Sequence, residues 1–520
     1  MARQLTDHTP RFADSVRMAR RWTIAVVMLG SATASLTGCH EHSGAPPAAS
    51  TFAEVGDEAT PQLAAPPAEP APATESSLDD TVPSEVDAGT TVGQQAVSAP
   101  VFRPDDARPL HDDQRAEALG ILRYESTHLL LYTDIDPQVA RTLPPLMDQA
   151  YGAFVEYFGP LPPAQDGAEY QMTGYIMADQ DRFREAGMLP QQADDLLVHG
   201  IHRGSEFWMN DQEYNYYRRH LMIHEGTHCF MTVLGGPRPS QWYMEGMAEY
   251  FGTHTIDDGG NARFGVMPAD PIDYVGFGRV EMLRDDVSAG NFRPVSGMLA
   301  LDTNDFVSSR REPYAWSWAF CKFLDASPRS QSRFRRLIDY QHAPAFNERT
   351  KELLAPVADE LQIEWELFVR NLEYGYDVER AAIDFWRGSP LAADAAATFD
   401  LQADKGWQSS GVWVEKGTPY RISAEGEVTL ALEPRPWISQ PQGVSIRYSA
   451  GLPIGRVVAA ILSDAPPGPD GEGTLWRVID IGRGAELTPE SAGTLYLRVN
   501  DNWNSLRYNA GAYQLRVERM

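Results

Sequence analysis

The sequence predicts an α+β chain, in which a mostly helical region at residues 106–390 is followed by an all-β region at residues 395–520. Three features of the sequence point there. From Tyr216 to Leu234, and again around Leu353–Leu361 and Ile363–Tyr374, apolar residues recur at helical spacing. After Asp384, short apolar stretches such as Val412-Trp413-Val414, Tyr420-Arg421-Ile422, Val457-Val458-Ala459-Ala460 and Leu495-Tyr496-Leu497-Arg498-Val499 are punctuated by Gly and Pro at intervals of about 8 to 12 residues, the pattern of an all-β sandwich. Residues 39–105 have a composition unlike either part.

Taken in order, the first 38 residues read as an address. Arg17, Arg20 and Arg21 precede an apolar run from Thr23 to Leu36 that is too short to span a bilayer and ends in small residues. Leu36-Thr37-Gly38-Cys39 resembles the lipobox of bacterial lipoproteins. That resemblance implies removal of the signal before Cys39, acylation of Cys39, and an exported protein anchored by lipid in the bacterial cell envelope, at the outer membrane or facing the periplasm in a Gram-negative cell. The alternative is a plain secretory signal with an incidental Cys. Residues 39–105, rich in Ala, Pro, Ser, Thr, Asp and Glu, lack the apolar surface to offset ordering entropy and read as a solvated tether.

With 520 residues and 43% hydrophobic residues, the remainder is long enough for more than one core. The charge of -28, from 72 acidic against 44 basic residues, repels phosphate backbones, so nucleic acid is not an expected partner. Only Cys229 and Cys321 remain once Cys39 is assigned to lipid. They read as two buried thiols, with a bridge between them as the alternative.

Within the helical region, Tyr170–Met177 alternates as a strand does, a helix is expected over Gln180–Gly187, and Glu206–Met209 reads as a short strand just before the main motif. The helix expected over Tyr216–Leu234 stops at Gly235-Gly236-Pro237 and carries His224-Glu225-Gly226-Thr227-His228. Residues four apart share a helical face, so both imidazoles can reach one Zn²⁺ ion while Glu225 leans over an open coordination position.

Seventeen residues past His228 the chain reads Trp242-Tyr243-Met244-Glu245-Gly246-Met247-Ala248-Glu249-Tyr250-Phe251. This resembles the second helix of gluzincins, the thermolysin and aminopeptidase group of zinc peptidases. The resemblance implies a zincin-type metallopeptidase domain with Glu245 as third ligand and Glu249 accepting a hydrogen bond from a ligating imidazole, His224. A zinc-bound His needs its second ring nitrogen fixed, and a carboxylate does this while raising ligand basicity. It further implies hydrolysis of a peptide or protein substrate, with Glu225 taking the proton of the attacking water and returning it to the departing amine. A tetrahedral intermediate needs another donor: Tyr314, which follows Pro313 at the start of an apolar run, resembles the catalytic Tyr of aminopeptidase-like members. His254, read as a surface residue, and Tyr274 are the alternatives. Zincins place a substrate-pairing edge strand just before the metal helix, which assigns that role to Glu206–Met209. No Gly-x-Met-Glu-Asn motif is present, so an endopeptidase is expected rather than an aminopeptidase.

In the β region, Gly406-Trp407-Gln408-Ser409-Ser410-Gly411, Gly493-Thr494-Leu495-Tyr496-Leu497 and Val499-Asn500-Asp501 through Asn509-Ala510-Gly511 resemble the galactose-binding jelly-roll of calcium-dependent bacterial galactophilic lectins. By that resemblance Asp501 and Asn509 would supply oxygens to Ca²⁺ and a glycan would complete the shell. Tyr508 stands where the lectins have the first Asn of a pair, which removes one oxygen from a cation that takes six to eight, and Asp501 and Asn509 read equally as turn residues. Two function classes remain open: an active, membrane-anchored zinc peptidase, or a surface lipoprotein without turnover that binds carbohydrate or protein through its β region.

Overall fold

A computed structural model describes residues 102–103, 108–190, 200–233, 238–309, 311–340, 343–431 and 435–520. Cys39, the address segment, residues 39–101 and 104–105 of the tether and Gly235-Gly236-Pro237 lie outside the described residues; at the tether's end Arg103, expected in solvent, is buried instead, because its N–H and guanidinium bond the Pro163 and Ala168 carbonyls at 3.1 and 2.7 Å. All described residues fall in one compact unit, Gln94–Met520. It is an α+β structure. No helix among the described residues is long and apolar enough to cross a membrane.

The amino-terminal half is built on a five-stranded sheet: β1 (Leu122–Glu125), β2 (Leu129–Thr133), β3 (Met172–Met177), β4 (Gly200–Arg203) and β5 (Glu206–Asn210), in the spatial order β1-β2-β3-β5-β4. β2, β3 and β5 are parallel, and β4 returns antiparallel to β5. The parallel strands are buried on both faces, which is why their sequences read as unbroken apolar runs. Leu129, Leu131, Met172, Ile176, Phe207 and Met209 enter the main core beneath the helices. Leu130, Tyr132, Tyr175, Met177 and Trp208 enter a smaller core on the opposite face. The strand at Glu206–Asn210 is therefore internal, contrary to the expectation that it forms the edge. Among the described residues the edges are β1 and β4, and β4 forms the edge on this side because the tight hairpin at Gly204-Ser205 folds one more strand onto β5.

Six helices position the site and the walls around it: α1 (Leu143–Phe158), α2 (Asn215–Val233), α3 (Gln241–Gly252), α4 (Arg279–Ser288), α5 (Glu312–Ala326) and α6 (Ala358–Arg370). The expected helix at 180–187 is present as Gln180–Ala186, closed by Gly187 in the left-handed conformation with φ 73°. The apolar run at Leu353–Leu361 is broken by a 3-10 turn, Ala355–Val357, where Pro356 cannot continue the preceding helix. Helices α3 and α5 pack at close range because residue 246 is Gly: a Cβ there would stand 2.5 Å from Cys321 Sγ and 2.7 Å from the Ser317 carbonyl oxygen. Cys229 and Cys321 are both free and buried.

The carboxy-terminal half consists of two packed sheets. One joins β6 (Ser389–Pro390), β8 (Gln408–Val414), β10 (Gln442–Ser449), β11 (Leu452–Leu462) and β13 (Gly493–Val499) in the order β10-β11-β13-β8-β6, with Ile479–Asp480 added beside β11. The other joins β7 (Ala396–Gln402), β9 (Tyr420–Glu425), β12 (Gly484–Leu487) and β14 (Ala512–Arg519) in the order β12-β9-β14-β7. Ser389–Pro390, which the sequence groups with the helical region, thus already belongs to this half. Val457, Ala459, Ile461, Leu495, Leu497 and Val499 meet Ile422, Leu515 and Val517 between the sheets. The alternate residues Val458, Ala460 and Tyr496 join the core of the helical half, so β11 and β13 are covered on both faces.

Candidate metal centre

The helical pattern of α2 places His224 and His228 one turn apart on a buried face, and α3 brings Glu245 against them. His228 Nε2 lies 3.2 Å from His224 Nε2 and 3.2 Å from Glu245 Oε2, and His224 Nε2 lies 3.4 Å from the same carboxylate oxygen. The other oxygen of Glu245 accepts a hydrogen bond from Gln241 Nε2 at 2.8 Å. Two donors each about 2.0 to 2.1 Å from a tetrahedral zinc ion stand roughly 3.3 to 3.4 Å apart, so this triangle has the size of one face of that shell. Two imidazole nitrogens and a carboxylate are also the donor types that zinc takes. The residues fit the ion on both counts.

Charge around the triangle is unbalanced toward negative. Burial works against protonation of His224, yet the neighbouring carboxylates of Glu245, Glu249 and Glu225 outweigh it and push the imidazole up to about 10, which marks a site where a cation is strongly favoured. Glu245 is pulled well below the ordinary carboxylate range: burial raises it, and His228 and His224 more than reverse that.

Behind the triangle stands a buried chain of partners. Glu249 Oε1 is 3.4 Å from His224 Nδ1, and both of its oxygens accept hydrogen bonds from Arg279, at 3.0 Å from Nε and 2.8 Å from the terminal nitrogen. His220 Nε2 reaches Glu249 Oε2 at 3.2 Å. His220, His224 and Glu249 form a second cluster of metal-ligand type. The bidentate guanidinium leaves Glu249 committed to Arg279, with its carboxylate beside the His224 ring. Burial, with Arg279 and His224, holds His220 below the ordinary imidazole range despite Glu249.

Glu225 is 4% exposed and faces β4. A Cβ on Gly200 would stand 2.4 Å from Glu225 Oε1, so the backbone of the edge strand lies directly against this carboxylate. From the same strand His202 Nδ1 lies 3.8 Å from Glu225 Oε2, and the His202 ring stacks on His228 at 4.6 Å between centroids and 22° between planes. Tyr314, in the first turn of α5, is half-buried with its ring 6.3 Å from that of His224 and 6.0 Å from the Arg279 guanidinium carbon. Burial, reinforced by Glu245, Glu249 and Glu225, raises its hydroxyl far above the ordinary phenol range, so it stays a proton donor.

The structure thus brings together His224, Glu225, His228, Glu245, Glu249 and Tyr314. The alternatives to Tyr314 sit elsewhere. His254 is 2% exposed rather than on the surface, because its ring stacks on Tyr216 and its Nδ1 bonds the Gly252 carbonyl at 2.8 Å. Tyr274 is buried edge-on against the same Tyr216. Sequence reasoning missed His202, His220 and Arg279. Only His220 had a visible signal, as the first rung of a His220, His224, His228 ladder with four-residue spacing.

In the β half, Asp501 Oδ1 accepts the Asn502 backbone N–H at 2.8 Å, and Asn509 Nδ2 donates to the Ala403 carbonyl at 3.1 Å while its Oδ1 is buried without a partner. Burial raises Asp501 above the ordinary carboxylate range. Asp501 belongs to no group of three or more His, Cys, Asp or Glu side chains of metal-ligand spacing among the described residues.

No family model and no curated protein matches the chain. Among solved structures, the N-terminal domain of EclA, a PllA-like lectin, is similar over 24% of this chain and 96% of that one, at 18% identity and a TM-score of 0.19. A likeness of that depth carries no argument.

Proposed function

We propose that this chain is a zinc-dependent peptidase of gluzincin type, with a zincin-like helical domain followed by a jelly-roll β domain, and that it cleaves within peptide chains. The observation that carries the proposal is the buried triangle of His224 Nε2, His228 Nε2 and Glu245 Oε2, whose edges of 3.2 to 3.4 Å suit one ion. Zinc bound there would supply Lewis acidity to a carbonyl oxygen and to water.

The chain's own groups do the rest. Glu225, desolvated and pressed against β4, takes a proton from the attacking water and passes it to the leaving amine. The outer edge of β4, which no strand among the described residues pairs, would offer backbone groups to an extended peptide, binding main chain with little sequence preference and laying its carbonyls beside Glu225. Tyr314 donates from the far side toward charge developing on the carbonyl oxygen. Glu249, gripped by Arg279 and His220, holds the His224 ring in register. Export and lipid anchoring at Cys39 rest on the sequence resemblance alone.

The test is cleavage of an unfolded protein by the purified full chain. Cleavage is expected to stop with a chelator and return with zinc, and to fall about 10³-fold or more in Glu225→Gln with zinc still bound. A Glu225→Gln variant that cleaves as well as the parent, or a zinc-loaded parent that cleaves no peptide, overturns the proposal and leaves the binding lipoprotein as the better reading.

A further inference from the structure

A cavity of about 460 Å³ lies between the helical and β halves, and none of the metal-centre residues lines it. Its wall carries Arg284 of α4, Arg370 at the end of α6, and Trp476, Arg498, Asn502 and Trp503 of the β half. In a chain of net charge -28, three arginines here face one carboxylate, Glu373, which is already engaged by the Asn504 backbone N–H at 3.0 Å.

Arg498 is the unusual member. It is 5% exposed, and the carboxylates of Asp501 and Glu373 act on it from a distance rather than as contact ion pairs. Its guanidinium sits over Trp503 at 3.9 Å, one terminal nitrogen donates to the Asp501 carbonyl at 2.6 Å, and Nε–H is buried with no acceptor. Burying a guanidinium with no carboxylate in contact is costly, and a ligand carboxylate at its free N–H would offset that cost. Arg284 likewise has no carboxylate within ion-pair distance among the described residues, whereas Arg370 holds Glu366 at 2.7 Å and stacks on Trp476 at 4.5 Å. The Trp476 indole N–H is a second buried donor with no acceptor.

We propose that this cavity binds a carboxylate-bearing sugar, a uronic acid of monosaccharide to disaccharide size. Planar guanidinium forks at Arg284 and Arg498 match a carboxylate, while the Trp476 N–H and the Asn502 amide suit ring hydroxyls. The volume lies in the range of small-ligand sites. The site is independent of the peptidase reading, since it uses no residue of the metal centre.

The test is calorimetric titration of the full chain with glucuronate and galacturonate, with glucose and galactose, and with inorganic phosphate. The uronates are expected to bind one per chain and the neutral sugars about tenfold more weakly or worse. Arg284→Ala, which alters an exposed side chain, and Trp476→Phe, which keeps the ring and removes the N–H, are each expected to weaken uronate binding about tenfold with an unchanged melting temperature. Equal binding of neutral sugars, uronate binding that both variants leave intact, phosphate binding without uronate binding, or no uronate binding at about 10 mM each overturns the proposal.

Discussion

Two places in this chain carry short motifs of metal-ligand type, and they fold to different ends. At the first, α2 and α3 aim His224, His228 and Glu245 at one point, with Glu249, gripped by Arg279, behind the His224 ring and Gln241 holding the second Glu245 oxygen. At the second, Asp501 Oδ1 accepts the Asn502 backbone N–H and Asn509 Nδ2 donates to the Ala403 carbonyl, which leaves Asn509 Oδ1 as a lone unpartnered oxygen beside a partly committed carboxylate. Glu245 is drawn below the carboxylate range by its imidazole partners, whereas burial drives Asp501 above it. Spacing in sequence nominates ligands; the hydrogen-bond commitments of each oxygen and nitrogen decide which of them remain available.

The largest effect expected from this contrast is on metal content. His228→Ala should lose essentially all bound zinc, while Asp501→Ala should retain the parent's full amount, both measured by elemental analysis of the purified chain.

Next in size is the support behind the triangle. Arg279→Met leaves Glu249 buried without its guanidinium, and urea unfolding should register a loss of about 3 to 5 kcal/mol, accompanied by zinc affinity weakened roughly 10- to 100-fold. Asp501→Asn should change stability by no more than about 1 kcal/mol. Equal losses from the two substitutions would erase the contrast.

The edge strand ranks third. His202→Phe preserves a ring against His228 but removes the nitrogen beside Glu225, and turnover of a peptide substrate should fall about 10²-fold with zinc content unchanged. Unchanged turnover would remove His202 from the working set.

Acid should also separate the two regions. The His254 imidazole takes its proton near 6.5 when unfolded and only at about 3 in the fold, where burial is the main cause. The unfolded chain therefore binds more protons between those values, and stability at this group declines as pH drops through that window. Asp501, raised by burial, has the opposite sign: its penalty is present above its folded pKa and is relieved by acid. Urea midpoints recorded from pH 7 to pH 4 should fall less steeply in His254→Asn than in the parent. The smallest effect is that of calcium, which should leave the melting temperature of the zinc-loaded chain unchanged.

The α+β character was legible because each periodic run is local. The convergence of the candidate metal-binding side chains was legible for the same reason: His224 and His228 share a helix face, and Glu245 follows His228 by 17 residues on the next helix. Arg279 gave no signal, since it stands 30 residues from Glu249 on a helix of unremarkable polarity. His202 lies on a four-residue strand whose lone aliphatic residue is Ile201, too little for a period to register, and so the sequence places the edge at Glu206–Met209 instead. The unbroken run Val457-Val458-Ala459-Ala460 signalled a buried strand, but only the packing reveals that its second face is covered by the helical half.

The central claim is most directly tested by a crystal of the zinc-loaded chain measured at the zinc absorption edge. One anomalous peak should lie about 2.0 to 2.2 Å from His224 Nε2, His228 Nε2 and a Glu245 oxygen. A peak among His220, His224 and Glu249, or none at either cluster, would contradict it.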